Sequence, residues 1–126
     1  MEKLTFDTGL QSYRVGGAGV LKFNPCDPNV YARFLEAAEK IKAAEQELAG
    51  AEDALRAMTA LDKRIKGILN EVFGSGNDFN EILGGVNLLA VAGNGERVIT
   101  NLLTALQPVL IAGARRCAEG IAAKAV

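Results

Sequence analysis

Side chains able to carry out acid–base, nucleophilic or metal chemistry are scarce in this sequence. Histidine is absent, which excludes Ser-His-Asp and Cys-His catalytic arrangements and every imidazole metal site. The serine hydroxyls belong to Ser12 and Ser75, which both lie near glycines in predicted turns. Cys26 and Cys117 belong to no CxxC pair, so we expect free, buried thiols in a reducing cytoplasm. We therefore predict a protein that is not an enzyme and has no metal or cofactor.

Two glycine clusters have the composition of phosphate-binding loops but not their context. Residues 16–19 are not followed by the lysine and Ser/Thr of a P-loop. Gly93 and Gly95 precede a predicted helix, but Val98 occupies the position of the last glycine in GxGxxG. Both clusters are therefore interpreted as turns and not as nucleotide sites.

Charge and hydropathy exclude two classes of partner. The 14 basic and 15 acidic residues give a net charge of −1, too little to hold nucleic acid by neutralising its phosphates. The basic clusters at 63–66 and 115–116 lack interleaved aromatics and are expected to be solvated helix surface. Residues 98–114 are the most apolar stretch, but they are too short to span a membrane comfortably and include Thr100, Asn101 and Pro108. We expect neither nucleic acid nor membrane as a partner.

The first quarter of the chain has the alternation of β-structure. Leu4 and Phe6 alternate with polar residues, Tyr13 and Val15 follow, and residues 20–23 come after the glycine cluster. Two extended runs around glycines predict a hairpin within residues 3–24. Because an isolated hairpin is marginal in water, it should pack on helices or pair with another chain.

Helical spacing dominates from residue 27 onward. Asp27 followed by Pro28 predicts a helix start, and the helix should run to about Leu48. A second helix is predicted over 52–73, so that 27–73 forms an antiparallel helical hairpin. The expected buried stripes are Tyr31, Phe34, Leu35, Ala38, Ile41 and Leu48 in the first helix, and Leu55, Met58, Leu61, Ile65, Ile68, Leu69 and Val72 in the second.

The rest of the chain is a predicted apolar helical part over 77–126. Gly74 should stop the second helix, and Asp78 should cap a short third one. A last helix is expected from 94 or 96 to about Lys124, kinked near Pro108. The predicted fold is thus mainly α with a short N-terminal β-hairpin in 1–25, a helical hairpin and a kinked C-terminal helix, all in one domain, 1–126.

The second half is poor in charge and is the predicted interaction region. Between Ile82 and Ala114 the charged residues are Glu96 and Arg97. Such a segment should cover the core and leave an apolar surface patch, which usually marks a binding site. Leu88 and Leu89 are the first candidates because they lie on a short turn between glycines, although ordinary core positions remain the alternative. The full predicted set is Val86, Leu88, Leu89, Val91, Leu103 and Leu110.

Several blocks along the chain carry a family resemblance. They are residues 20–25, 27–34, 70–76, 82–85, 86–97 and 106–108. Together with the β start and the charged helical hairpin, they make nearly the full length resemble tail assembly chaperones of long-tailed bacteriophages and prophages.

The resemblance implies a non-enzymatic protein made during tail morphogenesis in the cytoplasm of a bacterial host. Such a protein binds the tape measure protein, helps recruit major tail protein and leaves before the virion is complete. We expect in addition that the chain self-associates as a homo-oligomer. The family has no active-site residues to carry over to this chain. Two alternatives remain open: a structural virion subunit of the tail or head-completion type, and a small bacterial regulator that binds DNA through its last helix.

Overall fold

The described residues form a β-hairpin followed by four helices. The computed structural model describes residues 1–124, so residues 125 and 126 of the predicted domain lie outside it. The strands are β1 (Gln11–Val15) and β2 (Gly19–Phe23). The helices are α1 (Pro28–Ala49), α2 (Ala54–Phe73), α3 (Phe79–Ile82) and α4 (Val98–Lys124). The predicted class, mainly helical with an N-terminal hairpin and a C-terminal helix, is confirmed.

The hairpin is confirmed for residues 11–23 and is wrong for residues 3–10. β1 and β2 pair antiparallel, with Tyr13 opposite Leu21, and Gly16 provides the positive φ of the turn. Residues 1–10 form no strand, and Leu4 and Phe6 are exposed. Alternation predicted their extended character, but a strand also needs a neighbour to pair with, and this segment has none among the described residues.

The two edges of this small sheet differ. On β2, the Asn77 side chain replaces a neighbouring strand: its Nδ2 donates to the Lys22 carbonyl (2.8 Å) and its Oδ1 accepts from the Lys22 amide (2.9 Å). Farther along β2, Gly19 lies so close to Ile82 that a Cβ would overlap the Ile82 carbonyl oxygen. β2 is therefore the covered strand, and β1 forms the outer edge.

Helices α1 and α2 form the predicted antiparallel hairpin. Asp27 caps α1 by accepting from the Asn29 amide (2.9 Å), and Pro28 is its first residue. Near the start of α1, the Arg33 Nε donates to the carbonyl of Val72 near the end of α2 (2.9 Å). Gly74 ends α2 with a φ of 85°.

The buried faces of these helices differ from the predicted stripes. Leu35 and Leu55 are exposed, and Met58 and Ile68 are half-buried. In α1 the buried residues are instead Val30, Phe34, Ala37, Ile41 and Ala44. Two alanines lie on this face because small side chains let α1 and α2 approach closely.

Aromatic side chains connect the hairpin to the helices. Tyr13 stacks on Phe23 with ring centroids 5.0 Å apart. Phe23 meets Phe73 edge-on at 4.8 Å, and Phe73 contacts Phe79 at 5.6 Å. Their cluster also includes Ile99 of α4, so one hydrophobic core joins all the elements.

Helix α4 begins later than predicted, at Val98. Residues 91 and 97 form an isolated bridge, which keeps the chain between them in a loop. At Gly113, α4 passes so close to Pro25 that a Cβ on Gly113 would overlap the Pro25 carbonyl oxygen. Pro108 lies inside the helix, and the bend expected there stays a prediction.

α4 is also longer than the apolar stretch recognised in the sequence. The 24 residues Val98–Ile121 are long and apolar enough to cross a membrane, by length and composition alone. Core helices of other proteins pass the same test, and the Ile99, Leu102, Leu106 and Leu110 side chains of α4 are buried in the core. However, 28% of the most apolar window is buried, so much of this apolar helix faces solvent.

Candidate protein-docking groove

The six predicted interface residues do not form one surface. Leu88, Leu89 and Leu110 are 0%, 1% and 1% exposed, so the expectation that they belong to a surface patch is wrong. Val86 and Val91 are exposed, and Leu103 is half-buried against the core. The surface part of the prediction therefore rests on these three residues.

A buried polar network explains why Leu88 and Leu89 point inward. In α2, Asp62 and Lys66 form an ion pair (2.9 Å), and the Lys66 Nζ also donates to Asn80 (2.8 Å). The Asp62 carboxylate accepts from the Leu88 amide (2.8 Å). These bonds hold the 86–90 loop against α2 and place its leucines in the core.

The same network corrects an expectation about charge. Lys66 was expected on solvated surface with its neighbours, yet it is buried, while Lys63 and Arg64 are exposed. A buried ammonium is tolerated here because a carboxylate and an amide oxygen satisfy it. Removing the Asp62 carboxylate would leave the buried Lys66 ammonium without its counter-charge.

An apolar groove lies between β1 and α4. It has a volume of about 350 Å³ and is open to solvent along one side. Its apolar lining includes Tyr13, Val15, Phe23, Leu102, Ala105 and Val109. Among the described residues, Arg14 is the charged side chain of the lining. An exposed concave apolar surface of this kind is typical of a binding site.

The strand that borders the groove has an open edge. Lys22 points its backbone groups toward Asn77, away from β1. Because paired residues alternate along an antiparallel ladder, Ser12 and Arg14 likewise point their backbone groups away from β2. Among the described residues none hydrogen-bonds to these groups, so they are available to another strand.

A second depression continues the groove at the tip of the hairpin. It has a volume of about 420 Å³ and shares Gly16, Leu83 and Val98 with the groove. Val86 and Glu81 also line it. Of the residues predicted to form an interface, Val86 is therefore the one beside this concave surface.

Sequence reasoning missed most of the groove, although a signal was present. Val98, Leu102, Ala105 and Val109 recur at helical spacing and form a stripe that overlaps the buried one at Leu102. A helix with two adjacent apolar stripes has more apolar surface than one core contact covers. The hairpin residues Tyr13 and Arg14 could not be assigned to the site without knowing which side of α4 the hairpin packs against.

Comparison with protein-family models, with curated proteins and with solved structures gave no match to this chain. Within the part of the chain that the structure describes, no three Cys, Asp or Glu side chains gather to hold a metal ion. Cys26 and Cys117 are half-buried free thiols. The groove is the candidate site because it is an exposed, concave and mostly apolar surface.

Proposed function

We propose that the protein is a phage tail assembly chaperone that binds apolar helical surface of a tape measure protein and helps recruit major tail protein. On this proposal it acts without catalysis in the cytoplasm of the bacterial host. It leaves the tail before the virion is complete. The observation that carries the proposal is the apolar groove between β1 and α4.

The groove has the physical properties that such a partner needs. Each apolar side chain that a partner buries there contributes about 1.5–3 kcal/mol before the entropic costs of association. An amphipathic helix docks in an apolar groove through side chains spaced three and four residues apart. The exposed Ala105 in the floor leaves room for such a side chain to approach the backbone of α4 closely.

The resemblance in sequence supports the same partner. The blocks that carry it include 20–25 and 86–97, which form β2 with the turn after it and the loop that leads into α4. These segments position the two sides of the groove. The blocks that carry the resemblance therefore include segments that hold the groove in place.

The resemblance implies that a tape measure protein is encoded near the gene for this chain, and binding to that protein tests the proposal. Overlapping fragments of that protein are co-expressed with the tagged chain, and affinity is measured by titration on the fragment that co-purifies. Ala105→Glu places a charge in the groove at an exposed position, so the fold should persist while affinity falls by about tenfold or more. Gln107→Glu is the matched control, because Gln107 is exposed on the same helix outside the groove.

Three outcomes would count against the chaperone. They are no binding of any tape measure fragment, equal affinity of the two variants, and stoichiometric recovery of the protein from purified virions. The last outcome would favour the structural virion subunit instead.

A further inference from the structure

We propose that the groove and the free edge of β1 accept the N-terminal arm of a second copy of this chain. The arm is defined as residues 1–8, which precede the hairpin and form no strand. This inference concerns self-association and holds for the protein alone, whichever partner the groove binds later.

The arm carries apolar side chains that the rest of the described chain does not cover. Leu4 and Phe6 are 87% and 80% exposed. In an extended segment they point to the same side, because side chains alternate with a period of two. A segment with two large apolar side chains on one face is more stable against an apolar groove than in water.

The arm also matches the groove in length. At 1.5 Å per residue, the 12 residues of α4 that border the groove, 98–109, are about 18 Å long. Five extended residues, such as 3–7, span about 17 Å. Added to β1, this segment would bond to the free backbone groups of Ser12 and Arg14 and place Leu4 and Phe6 on the inner side with Tyr13 and Val15.

Charge is complementary between the arm and its proposed site. The hairpin carries two charged side chains, Arg14 and Lys22, and both are basic. The charged side chains of the arm are Glu2, Lys3 and Asp7, two acidic and one basic, and the exposed Asp7 lies next to Phe6. One carboxylate oxygen of Asp7 accepts from the Gly9 amide (2.7 Å), and the second remains available to the Arg14 guanidinium.

The structure also indicates why the arm of the same copy does not fill the groove. The Asn24 side chain donates to the Thr8 carbonyl (3.0 Å), and Gly9, with a φ of 79°, lies against that side chain. Thr8 and Leu10 lie beside residues of α1 and of the turn after α2, including Arg33 and Ser75. These contacts direct the arm past the open end of the hairpin, so the groove is filled in trans.

Sedimentation equilibrium of the full chain over micromolar to millimolar concentrations tests the arm. Wild type should self-associate, and Phe6→Ser should weaken the association about tenfold or more, since one buried aromatic side chain is lost. Leu55→Ser is the matched control because Leu55 is 79% exposed and lies outside both arm and groove. A monomeric wild type, or equal behaviour of the two variants, would overturn the proposal.

Two further experiments identify the contact. Arg14→Glu and Asp7→Lys should each weaken self-association, and the double variant should recover part of it. Mixing Phe6→Ser with Ala105→Glu should give a heterodimer that neither variant forms as a homodimer, since one intact arm then meets one intact groove. Absence of both effects would contradict the arm-in-groove contact. Because no tape measure fragment is present, failure here is distinct from failure of the proposed function.

Discussion

At the scale of single residues, burial in the 86–97 loop depends on backbone hydrogen bonds. Leu88 and Val91 lie three residues apart, yet one is fully buried and the other is 71% exposed. The Leu88 amide donates to Asp62, and its carbonyl accepts from the Ile99 amide (2.8 Å). The Leu88 side chain is therefore held inward from both sides, while the bridge between residues 91 and 97 turns the Val91 side chain outward.

The same substitution should therefore have a large effect at a buried position of this loop and a small effect at an exposed one. Leu89→Asp buries an unpaired carboxylate and removes core packing, so the free energy of unfolding should fall by about 3 kcal/mol or more. Val91→Asp, at an exposed position, should change it by no more than about 0.5 kcal/mol. Urea unfolding followed by circular dichroism measures both values. A stable Leu89→Asp variant would restore Leu89 as a surface residue.

At the scale of elements, close backbone approaches set how α4 packs. Gly113 interrupts a helix in which alanine would be favoured by about 1 kcal/mol. Its lack of a side chain allows α4 to lie directly on the Pro25 carbonyl, at the turn between β2 and α1. The position of α4, and with it the far wall of the groove, depends on this contact.

Two glycine-to-alanine variants test the packing of α4. Gly113→Ala should destabilise the protein by about 1–3 kcal/mol, because the new Cβ forces α4 away from Pro25. Gly67→Ala in α2 has open space around the new Cβ and should stabilise by up to about 1 kcal/mol. Thermal melts of the two variants beside wild type provide the comparison. A stabilised Gly113→Ala would mean that α4 does not contact Pro25.

At the scale of the whole molecule, one core couples the hairpin to the helices. Leu21 and Phe23 of β2 belong to the same buried cluster as Ile65 of α2 and Ile99 of α4. A small protein with one continuous core is expected to unfold in a single transition. The hairpin should therefore have no separate stability.

A tyrosine reporter tests this cooperativity. The chain has two tyrosines and no tryptophan, so Tyr31→Phe leaves Tyr13 as the aromatic reporter of the hairpin. Its near-ultraviolet dichroism comes from stacking on Phe23 and should vanish at the same temperature as the helical signal at 222 nm. Loss of the Tyr13 signal at a clearly lower temperature would show that the hairpin unfolds independently.

Local sequence signals predict the elements and most of their ends. Asp27 with Pro28 predicted the start of α1, Gly74 the end of α2, and the glycine cluster the turn of the hairpin. These signals act over a few residues through side-chain caps, a restricted φ or a positive φ, so they need no knowledge of distant segments. Alternation at Leu4 and Phe6 was read in the same local way, but a strand requires a partner, and the prediction was wrong.

Which apolar surfaces are covered depends on the packing of distant segments. Ala37 and Ala44 are buried while Leu35 and Leu55 are exposed, because the approach of α1 to α2 selects the face. Lys66 is buried because Asp62 and Asn80 come from positions 4 and 14 residues away to satisfy it. The groove likewise exists because the hairpin, held by Asn77 and Gly19, packs beside one stripe of α4. The covered surface depends on long-range packing, because the local pattern of apolar residues is compatible with more than one covered face.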